Sequence, residues 1–136
     1  MPANSGQNRT DHAMLDTDIL IMLQRRVPEA KAWLAALSVS PMVCFFAALE
    51  LLFGCQSAKE KREAEALLAE FEIAYPTQSG LEASRTFAAL KLSHGLGIID
   101  ALIAATALEH GLPLYAFNIK HFGAVPGLQV IVPYVR

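Results

Sequence analysis

The chain has 136 residues, a net charge of −2, and 54% hydrophobic against 18% charged residues. That length suits a single domain with its own core. The slightly acidic balance excludes a globally basic nucleic-acid or anionic-membrane binder, so a polyanionic substrate would have to be met by local patches or metal ions. The high apolar share points to surface covered by a second copy or a partner.

In chain order, MPANSGQNRTDHA is polar and lacks the apolar stretch of a secretory signal. Residues 1–13 are expected as a flexible tail, with Met14 an alternative start, and 14–136 as one domain. Residues 14–17 read as a short strand leading into a helix over 18–26. Ala30, Trp33, Leu34 and Leu37 recur at helical spacing and predict a helix over 29–37. Residues 42–46, a continuous apolar run after Pro41, read as a strand buried on both faces, followed by a helix over 47–55. A transmembrane reading of 35–55 is disfavoured by Pro41, two serines and Glu50.

An amphipathic helix is expected over 60–73, with Ala64, Leu67, Leu68 and Phe71 on one face, then a short strand over 72–75. Helices follow over 81–93 and 99–110, the second closed by Gly111. A strand over 114–117, a short helix over 119–122 and a last strand over 128–132 complete the chain. Strands alternating with helices predict an α/β domain of three layers, α/β/α, with a mostly parallel central sheet of four to five strands.

Cys44 and Cys55 lie in apolar company without a CxxC or Cys/His cluster, and read as buried free thiols in a reduced cytosol. Four of the thirteen acids lie in apolar segments: Asp16 and Asp18 in MLDTDILIML, Glu50 in CFFAALELLFG, and Asp100 in GLGIIDALIAATAL. A buried carboxylate is costly unless paired, hydrogen-bonded or bound to a metal.

Asp16 ends the first strand, Glu50 falls in the first turn of the helix after the second, and Asp100 opens a helix. Asn118 follows the strand over 114–117. In a parallel sheet such positions share the carboxyl edge, where these folds place their sites. Converging carboxylates repel, and a hard divalent cation with oxygen ligands removes the conflict. The bland alternative is that each acid caps its helix.

The segments LDTDILI, ALELLFG, HGLGIIDALIAATALEHGLPLYAFNIKHF and GLQVIVPY resemble, in that order, the PIN-domain ribonucleases, and most of all the VapC-like toxins of type II toxin–antitoxin systems. The resemblance implies a PIN-like fold and metal-dependent endoribonuclease activity, with Mg2+ as the ion and Mn2+ able to substitute. It implies catalytic roles for Asp16, Glu50, Asp100 and Asn118. Asp16 and Asp100 would hold the ion, and Glu50 would bind it or orient the attacking water. Asp18, where asparagine is common in the family, is a further candidate ligand. RNA is the implied substrate, and a homodimer and a cognate antitoxin are the implied partners of a cytoplasmic protein.

Ala116 and Phe117 stand where members often have Thr-Arg, which removes a hydroxyl and a cation near the site. His94, His110 and His121 are read as structural, His121 being the nearest to the candidate site. Arg85, Lys91 and Lys120 are read as solvated. Two alternatives are weighed. The motif Asp16-Thr17-Asp18 resembles the opening of aspartate-nucleophile phosphohydrolases, but the late acidic pair of that family is missing. The other is a PIN-like module that binds RNA or protein without cleaving.

Overall fold

The computed structural model describes residues 12–136. Five strands form one sheet: β1 (Met14–Leu15), β2 (Met42–Cys44), β3 (Ile73–Ala74), β4 (Leu114–Tyr115) and β5 (Val130–Ile131). Their order is β3-β2-β1-β4-β5 and every neighbouring pair is parallel. Met14 pairs with Met42 on one side and Leu114 on the other, so β1 is central. The strand order reverses between β1 and β4, which is where doubly wound sheets open a crevice. The expected three-layer α/β/α architecture is what the chain adopts.

The helices are α1 (Thr17–Gln24), α2 (Pro28–Ala36), α3 (Phe45–Phe53), α4 (Ala58–Leu68), α5 (Gln78–Ser84), α6 (Ala89–His94), α7 (Ile98–Glu109) and α8 (Ile119–Phe122). The core joins β1 and β2 to the apolar faces of α1, α3 and α7, with Leu15, Ile19, Val43, Ala47 and Ile103 all fully buried. Helix α7 is almost wholly apolar because its middle, from Ala101 through Ala107, is largely enclosed. Gly111 takes the left-handed conformation expected beyond its end, with φ 66°. Residues 35–55 form the end of α2, strand β2 and helix α3. Among the described residues no helix is long and apolar enough to cross a membrane.

Several boundaries differ from expectation. Helix α3 begins at Phe45, directly from β2, so the strand expected over 42–46 ends at Cys44 and Glu50 lies in the second helical turn, not the first. Helix α4 stops at Leu68 instead of 73. The helix expected over 81–93 is broken into α5, a 3₁₀ turn over Arg85–Phe87, and α6. Ser84 and Thr86 hydroxyls donate to the carbonyls of Leu81 and Ala83 at 2.6 and 2.7 Å. Such bonds compete with the helical ladder, while Phe87 turns into the core. The tail expected over 1–13 falls mostly outside the described residues. Ala13 is nevertheless buried, and its carbonyl accepts from Met42 N–H at 2.8 Å, so the packed domain already includes it. Cys44 is buried and Cys55 half-buried, and both are free.

Candidate functional site

Asp16 leaves β1 and caps α1. Its backbone N–H donates to Tyr115 O at 3.0 Å, which ties the carboxyl end of β1 to β4. Its Oδ1 accepts from Thr17 N–H at 2.8 Å, and the residue is only 4% exposed. The remaining acids reach the same place from other elements. Asp18 lies in the first turn of α1, Glu50 in α3, and Asp100 in the first turn of α7, where Oδ2 accepts from Gly97 N–H at 3.3 Å. Asn118 caps α8 after β4, and its Oδ1 accepts from His121 N–H at 3.1 Å.

A cavity of about 210 Å³ is lined by Asp16, Asp18, Glu50, Asp100 and Asn118, together with Thr17, His121 and Phe122. It opens at the point where the strand order reverses. A larger groove of about 540 Å³ runs elsewhere, past Leu23, Leu34 and Leu67, but gathers no comparable acidic cluster. The small cavity is therefore the candidate site.

Its acids are not equally buried. The isolation of Glu50 in an apolar run suggested a buried carboxylate, but Glu50 is exposed. Ala47, Ala48 and Leu51 form the buried face of α3, and Glu50 flanks it at the cavity rim. The buried acid is Asp16. Removal from water, then the negative charge of Asp18, and then those of Asp100 and Glu50, push its carboxyl up from 3.8 to about 7, against the opposing pull of the Thr17 N–H.

His121, the histidine nearest the candidate site in sequence, also lines the cavity. Asn118 has its Oδ1 engaged by the His121 backbone, so its Nδ2 faces the ring and donates to Nδ1 at 2.9 Å. That bond assigns the ring proton to Nε2. Asp100 Oδ2 lies 3.5 Å from the same Nδ1, a contact that becomes an ion pair only when the ring is protonated. Gly95, left-handed at φ 74°, lies behind Nε2: a Cβ there would stand 3.2 Å away. His94 and His110 lie apart from the cavity, with the latter's Nε2 3.0 Å from Tyr75 O. Phe117, at the position where the family often has arginine, meets Tyr134 edge-to-face with ring centroids 5.0 Å apart and lies beneath the Arg136 guanidinium, 4.1 Å from the ring centroid.

Carboxylate and amide oxygens around a small polar cavity suit a hard divalent cation. Among the described residues no group of three or more His, Cys, Asp or Glu side chains is arranged to hold a metal ion by itself. A divalent cation here would have to take one or two carboxylates and complete its shell with water.

The family described as PIN domain matches residues 13–127. Among curated proteins, the ribonuclease VapC1 of Rickettsia felis is 31% identical over 129 residues, which span 87% of this chain and 93% of the relative. The ribonuclease VapC10 of Mycobacterium tuberculosis is 33% identical over 112 residues, 80% of this chain and 84% of the relative. A chain of a toxin–antitoxin complex from Klebsiella pneumoniae superposes with a TM-score of 0.72 at 33% identity, covering 90% of this chain and 98% of that one. A chain of VapBC2 from Rickettsia felis, bound to a fragment of promoter DNA, superposes at 0.73 with 22% identity, a likeness of fold alone.

Proposed function

The chain belongs to the PIN-domain family, and from that membership we propose that it is a Mg2+-dependent endoribonuclease, the toxin of a toxin–antitoxin pair. The observation that carries the reading is the gathering of Asp16, Asp18, Glu50, Asp100 and Asn118 around one cavity at the switch point of the sheet.

Mg2+, or Mn2+ in its place, would lower the pKa of a bound water and offset the charge that builds on the phosphate during in-line attack. Asp16 and Asp100 are the residues to hold it. Asp16, buried among like charges, favours a cation more than any exposed carboxylate would. Asp18, the exposed neighbour, is a further ligand candidate. Glu50, at the exposed rim, faces arriving substrate and is suited to orient the attacking water and take its proton. Asn118 is fixed from both sides by His121 and holds the fourth corner. Products would then leave by the open rim.

The curated relatives, named ribonucleases, support RNA as substrate, and the Klebsiella complex supports an antitoxin partner. Phe53, Leu92, Ile98 and Val135 are apolar and between 79% and 95% exposed, which suits coverage by that partner and by a second copy. The competing reading, a module that binds RNA or protein without cleaving, draws on one observation: among the described residues no Lys or Arg lines the cavity. The phosphohydrolase alternative draws nothing from it, since Lys120 is exposed and outside the lining.

Incubation of the purified protein with a mixed cellular RNA pool decides between them, in Mg2+, in Mn2+ and in EDTA, with Asp100→Asn alongside. Defined fragments lost in EDTA and in the variant are expected. Fragments that persist in both would overturn the assignment.

A further inference from the structure

Beside the acid cavity, outside its lining, four half-buried aromatic rings form a patch. Trp33 of α2 meets Tyr115 edge-on with ring centroids 4.8 Å apart, and Tyr134 at 6.2 Å. Phe117 meets Tyr134 at 5.0 Å, and the Tyr134 hydroxyl donates to Met22 Sδ of α1 at 2.9 Å. Side chains from α1, α2, the end of β4 and the segment after β5 thus brace one another. The patch stands at the carboxyl edge of the sheet. Tyr115 O accepts from Asp16 N–H at 3.0 Å, and Phe117 directly precedes Asn118, which lines the cavity.

The Arg136 guanidinium lies over the Phe117 ring, 4.1 Å from its centroid. Arg26 and Arg85 pair with Glu63 and Glu82, whereas among the described residues no carboxylate lies within ion-pair distance of Arg136. An aromatic face holds a guanidinium without consuming its N–H donors, and Arg136 is exposed. That fork matches a phosphate, two N–H groups to two oxygens. The acid cavity has no Lys or Arg among its described lining and the chain carries a net −2, so a polyanion meets few cations here. One cation on an aromatic patch suits a single strand, whose bases are open to stacking, better than a duplex held through many phosphates. We propose that Arg136 is a substrate-binding residue for single-stranded RNA, its guanidinium taking a backbone phosphate beside the acid cavity, with Phe117 the positioning residue that fixes it. The proposal rests on the RNA reading above and deepens it.

The test is fluorescence anisotropy of a labelled single-stranded oligoribonucleotide of mixed sequence, and of the same RNA as a duplex, with the whole purified protein in EDTA from low salt upward. Arg136→Gln should weaken single-strand binding by about 10-fold. It should also flatten the slope of log K against log salt by about 0.7, the loss of one phosphate contact. Phe117→Leu keeps the charge, so the slope should hold while affinity falls by about 2- to 5-fold. In Mg2+, cleavage by Arg136→Gln should show a raised KM with kcat little changed. An unchanged salt slope in Arg136→Gln would overturn the proposal, leaving the patch to packing or to a protein partner. Parental affinity in Phe117→Leu, or an equal loss on the duplex, would overturn it too. The two readings fail separately. A protein that binds RNA through Arg136 yet cuts none sinks the nuclease alone, and one that cuts RNA equally well as Arg136→Gln sinks only the subsite.

Discussion

Asp16→Asn separates the demands of folding from those of the site. In the folded protein the Asp16 carboxyl is raised from 3.8 to about 7, first by burial and then by Asp18. A raised carboxyl pKa means that the folded state holds a proton that the unfolded chain gives up, so stability falls as pH rises from about 4 to about 7 and then levels off. The rise from 3.8 to about 7, at ~1.4 kcal/mol per pH unit, bounds this penalty at about 4 kcal/mol. Asparagine removes the charge and keeps an oxygen for the Thr17 N–H, but brings an amide that needs acceptors. Relief of about half the bound is the working figure, or roughly 6–10 °C of Tm for a domain of this size. The assay is thermal melting in EDTA across that pH range. Asp16→Asn should melt above the unsubstituted protein at about pH 8, with the gap closing as pH falls toward about 4. With Mn2+ added, only the unsubstituted protein should gain. A variant less stable in EDTA at high pH, or a gap indifferent to pH, would refute the view that Asp16 is held charged at a cost that a cation offsets.

The other predictions concern the same cavity. Addition of Mg2+ or Mn2+ at about 100 times the dissociation constant should stabilise the unsubstituted protein by about 2.7 kcal/mol, read as a Tm increase that EDTA reverses. Glu50→Gln, at an exposed position, should leave stability within about 0.5 kcal/mol. Its RNA cleavage should fall by roughly 100-fold or more if Glu50 takes the proton of the attacking water. Gly95→Ala forces a side chain into a left-handed residue at φ 74°, with its Cβ 3.2 Å from His121 Nε2. Chemical denaturation should register a loss of about 1–2 kcal/mol from the left-handed backbone alone, even if the His121 ring yields, and a variant as stable as the parent would refute that strain.

Most of the architecture is legible in the residues. Continuous apolar runs such as MVC announce strands buried on both faces, and their alternation with helical periods announces a parallel sheet. The parallel sheet in turn brings Asp16, Glu50, Asp100 and Asn118 to one edge, because strand ends and the helix starts beside them share it. That inference needs only chain order and polarity, both one-dimensional properties. The family resemblance adds names to these positions without changing where they fall.

What tertiary packing decided is which group faces what. In FFAALELLF nearly every residue is apolar, so no periodicity marks the inner face of α3. Only contact with its neighbours sets Ala47 and Leu51 inward and leaves Glu50 at the rim. Asp16 is buried because β1 is the central strand, a fact of strand order that no local pattern carries. The break in the helix expected over 81–93 follows from hydroxyls that turn back onto carbonyls once Phe87 has packed. His121 reaches the cavity through the same geometry, since it lies a turn beyond the Asn118 cap. Residue type fixes what each side chain can do, but burial and hydrogen-bond satisfaction depend on atoms distant in sequence. For that reason the set of acids around the cavity was readable from the chain, and which of them is buried and which exposed was settled by the fold.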